Sequence, residues 1–588
     1  VADEDRKPEE PSSLPGRIRR SLQLSPGRLR RLDGWSEIAA LVLLIALILR
    51  QGYQLPVLAH APVALGVGIL LLLLVAARLG LEALATVRPA LFFKLHAPDL
   101  AVFALLLLPR IGIRTAAFLL ALRVLFRAGS RLLTSPAGRT WVVGVQRHPA
   151  RIIAFTFLGL IAGGTLFLTF PGASTTPGSA PPLTALFTST SAVCVTGLIV
   201  VDTPSYWTPF GQWVILVLMQ VGGLGIMTLS ASAALALGRA LGAGSRGFLE
   251  EILEETAKRD ITRLLQFIVA FTFATEAVGT AILGLYWSRV MPASEAWFNA
   301  VFHAVSAFCN AGFSTFSTSL ERWVGDPVVN VVIALLIIVG GIGFTVAASL
   351  WGLFRRPLHP VLWWRHERTH TRLVLTTTAV LVVAGAMAFF YFDYDSSLSG
   401  LPMGQKLLSA FFQSVTARTA GFDTVSMSAV APVTATVLMV LMFIGGSPGG
   451  TAGGIKTTTI AILALTFRSL SRGRRDVEVF SRRVPDETLL KAIAVTLLGG
   501  ALLAVCFMLL LVIQPGMNYL DLMFEAVSAF GTVGLSRGVT AALTPPGRLI
   551  IILLMFVGRT GPLTLAFAVG KSATRTYYRY PESRILVG

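Results

Sequence analysis

Four short stretches constrain this chain more than anything else in it: Phe187–Leu198 (FTSTSAVCVTGL), Phe302–Phe313 (FHAVSAFCNAGF), Phe412–Phe422 (FQSVTARTAGF) and Phe524–Leu535 (FEAVSAFGTVGL). Each opens on an aromatic residue, passes through small and polar residues to a Ser or Thr, and ends on a Gly and a bulky apolar residue. The glycines Gly197, Gly312, Gly421 and Gly534 recur roughly every 110 residues. The third copy is one residue shorter between Thr416 and Gly421. A repeat that long is not a solenoid unit; it has room for two membrane spans and a re-entrant segment.

Of 588 residues, 54% are hydrophobic and 13% charged, and the mean hydropathy is +0.73. Soluble chains carry about twice that share of charge. Runs such as Val214–Met219, Val329–Val339 and Leu549–Val557, lengthened by their neighbours, reach the ~20 apolar residues that a helical span needs. The chain therefore reads as a polytopic membrane protein. Cys194, Cys309 and Cys506 are too few, and too apolar in setting, for a disulfide framework. No cleavable signal peptide is expected, because residues 1–34 are polar and charged.

The formal net charge of +19 raises nucleic acid as a partner, and its distribution argues against one. Basic residues crowd the segments that link the repeats, from Arg239 to Arg263, Arg355 to Arg372 and Arg468 to Arg483, and the tail after Lys571. Asp202, Glu295, Asp326, Asp393, Asp395 and Asp521 fall on the other side. This asymmetry puts the linking loops and both termini in the cytoplasm and the repeated stretches at the outer face. It assigns the excess charge to membrane lipids rather than nucleic acid.

The expected organisation is a disordered basic cytoplasmic N-terminus (1–34), an accessory helical bundle (35–150), and four pore units at 151–240, 241–355, 356–468 and 469–588, the last including the C-terminal tail. In the bundle, Arg123, Arg127 and Arg131 lie four apart on one helical face and loosely resemble a voltage-sensor helix. Snorkelling at the cytoplasmic end explains them equally well. Each pore unit reads span, pore stretch, span: about 152–170 and 208–238, 262–288 and 327–353, 373–392 and 432–467, 487–513 and 546–570.

Backbone that leaves the helix at membrane depth survives only inside protein or against a water-filled cavity. Four such segments with small residues can approach one axis and offer rings of carbonyl oxygens to a dehydrated cation. The candidate selectivity-filter residues are Cys194, Val195, Thr196 and Gly197; Cys309, Asn310, Ala311 and Gly312; Thr419, Ala420 and Gly421; and Thr532, Val533 and Gly534. After the third stretch comes Gly445, Gly446, Ser447, Pro448, Gly449, Gly450, Thr451, Ala452, Gly453, Gly454 and then Lys456. Six glycines and a proline cannot hold a helix, so an unwound loop beneath the filter is expected, and its residues are the gate candidates under the resemblance given below. Arg559, mid-span in the last helix, is expected to hydrogen-bond this loop's carbonyls, either as a lock or as a structural clamp. Gly222 and Gly340 are expected to pack helices. Glu276 is either a coupling-ion site or a buried Glu bonded to a neighbouring helix.

Two near-matches point to enzymes. His366, Glu367 and His370 (HERTH) match the zincin pattern, but the loop is short and basic and lacks a third ligand. GGTAGGIKT resembles a phosphate-binding loop with an Ile before Lys456. No dinucleotide-binding glycine pattern is found, so no nucleotide site is expected in this chain.

The sequences SAVCVTGL, SAFCNAGF, SVTARTAGF and SAFGTVGL, with the C-terminal RYPESRILVG, resemble the Trk/Ktr/HKT superfamily of potassium transport proteins, most of all the bacterial Ktr membrane subunit. The resemblance implies an all-α polytopic membrane protein with four pseudo-repeated helix–pore loop–helix units around a central pore, beside the accessory transmembrane helices. It implies potassium as the transported ion, selected where all four filter positions are Gly, with sodium as a candidate activating or coupling ion. It implies a homodimer in the cytoplasmic membrane, a separate cytosolic nucleotide-binding regulatory ring, and an intramembrane loop that obstructs the pore. Within the superfamily, a Trk- or HKT-type transporter is the alternative. Arg418 looks like the Ktr pattern, and its expected role is to tie the filter strand to carboxylates or carbonyls.

Overall fold

The computed structural model describes residues 149–176, 178–238, 261–355, 363–365, 367–474 and 476–562, with isolated positions between Trp35 and Ala76. The expected N-terminus, nearly all of the accessory bundle with its arginine row, His366 and the tail after residue 562 lie outside the described residues. The chain divides into units Val1–Gly144 and Val145–Gly588, and the second contains all four repeated stretches.

The first quarter holds α1 (Pro149–Leu168), α2 (Pro182–Val193), α3 (Thr203–Tyr206) and α4 (Pro209–Gly238). The second holds α5 (Ile261–Trp287), α6 (Ala293–Cys309), α7 (Pro327–Gly341) and α8 (Phe344–Arg355). The third holds α9 (Thr369–Phe392), α10 (Met403–Thr416), α11 (Pro432–Phe443) and α12 (Thr457–Ser471). A small antiparallel hairpin, β1 (Glu478–Val479) and β2 (Arg482–Arg483), departs from a purely helical chain. The fourth quarter holds α13 (Asp486–Ile513), α14 (Tyr519–Gly531) and α15 (Pro545–Thr560).

Local chemistry sets the helix starts. Pro327, Pro432 and Pro545 open their helices, where a missing N–H costs nothing. Asp326 caps α7 by accepting from Val328 N (2.9 Å) and Val329 N (3.1 Å). Among the described residues, Gln266–Trp287, Thr369–Phe392 and Asp486–Ile513 are long and apolar enough to cross a membrane singly. The expected span 327–353 is not one helix: α7 and α8 meet at 110°. Gly343, at φ 91°, makes the turn, a backbone angle that glycine adopts without strain.

The polarity of the unit is inverted relative to a soluble protein. Leu497, Met508 and Val512 stand exposed on α13, and Val380, Val383 and Met387 on α9. Ser189, Ser191, His303, Ser306, Gln413, Ser414, Glu525 and Ser528 are completely buried. Apolar side chains facing outward suit lipid, where burying polar groups requires partners inside the protein. The quarters are stitched by such partners. Asp202 accepts from Ser317 Oγ (2.8 Å), and Asp423 N donates to Ser319 Oγ (3.2 Å). Arg537 bonds Asp521 (2.6 Å) and the carbonyls of Met427 and Val430 (2.9 Å each).

The second-span glycines pack backbone on backbone. A Cβ at Gly222 would overlap the carbonyl of Val193, one at Gly340 that of Phe308, and one at Gly558 that of Phe530. Replacing Gly558 with Ala is expected to cost about 1–3 kcal/mol, read as a lower Tm of the detergent-solubilised protein. Gly500→Ala, whose added methyl meets nothing within 4 Å, should leave the Tm unchanged or slightly raised.

Candidate functional site

The four repeated stretches fold alike. Their opening aromatics, Phe187, Phe302, Phe412 and Phe524, are buried anchors on α2, α6, α10 and α14, and their closing residues Leu198, Phe313, Phe422 and Leu535 are buried too. Polar residues directly after three of those aromatics strap the outgoing strand. His303 Nδ1 donates to Asn299 O (2.8 Å), which leaves Nε2 to accept from Ser314 Oγ (2.9 Å). Gln413 donates to Thr424 Oγ1 (3.3 Å), and Glu525 accepts from Ser536 Oγ (2.9 Å) and from Thr540 Oγ1. These three residues were not singled out from sequence; a polar residue recurring next to the anchor Phe is the signal that marks them.

Past the helix ends the backbone alternates in hand. Val195, Asn310, Thr419 and Thr532 have φ of 55°, 59°, 76° and 51°, and Gly197, Gly312, Gly421 and Gly534 have φ of 90°, 68°, 79° and 99°. Residues with a Cβ adopt this region at a cost of ~1 kcal/mol or more, so something must hold them. The Ser or Thr of each stretch does. Gly197 N donates to Ser191 Oγ and Gly534 N to Ser528 Oγ (3.1 Å each). Ser306 Oγ donates to Phe313 O (2.8 Å) and Thr416 Oγ1 to Phe422 O (2.7 Å). In three copies the backbone bond closes five residues along, as in Thr196 N to Ser191 O (2.7 Å), whereas in the shorter third copy Thr416 O accepts from both Ala420 N, four along at 2.9 Å, and Gly421 N, five along at 3.4 Å.

These segments meet. An added Cβ at Gly197 would lie 3.0 Å from Gly312 Cα, at Gly312 3.0 Å from Gly421 Cα, at Gly421 3.1 Å from Gly534 Cα, and at Gly534 3.1 Å from Gly197 Cα. The neighbours close a ring in chain order. Thr196, Ala311, Ala420 and Val533 lie between the left-handed positions. Cys194 caps α2 and Cys309 ends α6, with the Cys309 thiol turned toward Gln220 and Glu276 rather than the ring. The Asn310 amide donates to Ala307 O (2.9 Å) and Ile337 O (3.2 Å), which turns its oxygen toward the Thr419 hydroxyl.

Residues 444–456 form the expected unwound loop. Ile444 and Ile455 pair as an isolated parallel bridge at its neck. A Cβ at Gly453 would collide with Thr532, which sets the loop against the ring. The α7–α8 break receives it: Ser447 N donates to Gly341 O (2.9 Å), Thr451 N to Gly340 O (3.1 Å), and Phe344 N to Gly449 O (3.1 Å). Ser447 and Thr457 share a hydroxyl contact (3.0 Å), Thr451 Oγ1 donates to Phe308 O (3.1 Å), and Lys456 Nζ bonds Ala452 O (2.6 Å). Arg559 is buried and donates to Thr451 O and to Gly222 O (2.7 Å).

Arg418 corrects an expectation. Its buried guanidinium bonds no carboxylate or carbonyl among the described residues, and Nε is left unpartnered. It is the C-terminal end of α10 that turns the strand, through Arg418 N to Val415 O at 3.1 Å. Glu367 accepts from the adjacent Arg368 N (3.1 Å), and among the described residues no group of three His, Cys, Asp or Glu could hold a metal.

A closed ring of four backbone segments, lined with buried hydroxyls and wrapped in outward-apolar helices, defines a membrane transport protein. The model of the TrkH family, cation transport protein, matches residues 133–574, and the chain belongs to that family. It is 38% identical over 440 residues to the Ktr system potassium uptake protein B of Vibrio alginolyticus, covering 74% of this chain and 94% of that one. It is 37% identical over 452 residues to the Ktr system potassium uptake protein B of Bacillus subtilis, covering 76% and 98%. The crystal structure of the potassium transporter TrkH from Vibrio parahaemolyticus superposes with a TM-score of 0.59 at 18% identity, covering 81% and 96%, a likeness of fold. The chain is a transport protein and not an enzyme.

Because Ser528 holds the fourth strand through one hydroxyl, Ser528→Ala should cost about 1 kcal/mol locally. The loss is expected as a lower Tm of the detergent-solubilised protein at unchanged expression.

Proposed function

We propose that this chain takes up potassium across the cytoplasmic membrane through the ring at Gly197, Gly312, Gly421 and Gly534. The observation that carries the reading is the mutual closeness of those four glycines. Alternation of φ sign turns successive carbonyls to one side of a strand, and four such strands around an axis replace the water of a naked alkali ion. The C-terminal ends of α2, α6, α10 and α14 lie at the ring, so their dipoles favour a cation there. The filter atoms are the carbonyls of residues 194–197, 309–312, 419–421 and 532–534. Potassium is the cargo, and sodium is the candidate activating or coupling ion. Two copies pair as a homodimer, each with its own pore, on a cytosolic nucleotide-binding ring, with both termini on that side.

The loop from Gly445 to Gly454 is the gate, and Arg559 is its lock. A guanidinium donating to Thr451 O and Gly222 O joins the loop to both α15 and α4. Charge-assisted bonds of that kind contribute about 1.5–3 kcal/mol each when buried.

Two outcomes are expected in cells lacking other potassium uptake. Gly197→Ser places a side chain 2.5 Å from Ala311 O at φ 90°, and potassium-over-sodium uptake should drop at least tenfold; unchanged selectivity would remove the filter assignment. Arg559→Gln should raise basal rubidium flux several-fold by loosening the loop; a flux equal to or below the parent would make Arg559 a structural clamp only.

A further inference from the structure

The antiparallel hairpin after α12 turns through Phe480 and Ser481, the two residues between the pairs Glu478–Arg483 and Val479–Arg482. Both lie in the left-handed region, at φ 47° and 61°. Two-residue turns of this hand favour Asn and Gly, and a large aromatic residue sits there against its own preference. Something outside the turn must therefore hold Phe480 in place. The Arg372 guanidinium lies over its ring at 4.0 Å, and Trp364 meets it edge to face with centroids 6.5 Å apart. Arg372 also stands 5.5 Å over the Trp364 ring. Its Nε has no hydrogen-bond partner among the described residues, so the two rings are what the cation meets.

This contact joins two separately anchored pieces of the chain. Arg372 stands in the first turn of α9, and α9 is fixed to α10 by Ser414 Oγ, which donates to Val382 O (2.7 Å). The hairpin is fastened instead to the end of α12. Ser469 Oγ donates to Asp476 O (2.6 Å), and Arg483 pairs with Asp476 (2.9 Å). At its other end α12 runs directly out of the glycine loop. Thr457 N donates to Gly446 O (3.0 Å), and the Ser447 and Thr457 hydroxyls meet at 3.0 Å. With no internal Gly or Pro, the 15 residues of α12 act as a rod of roughly 22 Å between loop and hairpin. We propose that Phe480, Trp364 and Arg372 form a latch that sets the position of the loop through α12. They act at the far end of the rod, as positioning residues. This rests on the reading of the loop as the gate and adds a second point, besides Arg559, at which that gate is held.

The test is hydrogen–deuterium exchange of the purified full chain in detergent, read in peptides covering 444–456 and 476–486. Phe480→Asn is the decisive variant, because Asn suits the left-handed turn and only the ring is lost. Exchange across 444–456 should become about fivefold faster or more. Phe480→Tyr, which keeps a ring, should match the parent, and Arg372→Gln should reproduce the Asn effect. A contact that only steadies the hairpin would speed exchange at 476–486 alone. Unchanged exchange at 444–456 therefore overturns the latch, whether or not the hairpin loosens. If Phe480→Asn does not fold, Arg372→Gln decides: faster exchange of the loop supports the proposal and unchanged exchange overturns it. In liposomes, rubidium flux should rise several-fold in Phe480→Asn. A loosened loop with parent-level flux leaves the latch standing and overturns the reading of the loop as a gate.

Discussion

A peptide group that leaves the helix inside a membrane finds no water to bond. Among the described residues the helices give way in the strands after α2, α6, α10 and α14, in the loop from 444 to 456, and at the break between α7 and α8. Each strand is held by a hydroxyl from the helix before it, Ser191, Ser306, Thr416 or Ser528. The loop borrows carbonyls freed by the break between α7 and α8. The positions of the remaining helices follow from keeping these irregular segments enclosed. Gly222, Gly340 and Gly558 let α4, α7 and α15 press directly on the carbonyls of Val193, Phe308 and Phe530, a closeness that van der Waals packing in lipid rewards.

The same constraint explains where the charges sit. Arg559 and Glu525 are both buried, and each has oxygen or hydroxyl partners in place. Asp521 and Arg537 meet each other and extend to carbonyls of the third quarter. Arg418 Nε and Glu276 Oε2 are left without a partner among the described residues, as is Arg559 Nε beside its two carbonyl bonds.

Much of this was legible in the residues. Gly197, Gly312, Gly421 and Gly534 could be aligned by eye, and the ring they form needs only that four like segments fold alike. The glycine run at 445–454 could not be a helix, and Arg559 stood alone in an apolar run. Other features were hidden because they arise from tertiary contact. Nothing within 327–353 forbids a continuous helix, since Gly340, Gly341 and Gly343 occur in many packed spans; the break exists because Ser447, Gly449 and Thr451 exchange hydrogen bonds with it. The straps at His303, Gln413 and Glu525 depend on hydroxyls eleven or more positions away in sequence, beyond any local period. For Arg418 the preference for a paired cation misled, because the pairing rule says what a buried charge wants and not what lies beside it.

The ring is assembled from one continuous polypeptide, and its four walls are not copies. At the left-handed position they carry Val195, Asn310, Thr419 and Thr532. The third wall is a residue short and turns through a tighter backbone bond. An assembly of identical subunits alters every wall whenever one codon changes. Here a single substitution touches one quadrant and leaves three untouched, so selection can adjust each side of the axis separately. Fourfold geometry is thereby kept only in the main chain, and chemical individuality is confined to the side chains behind it.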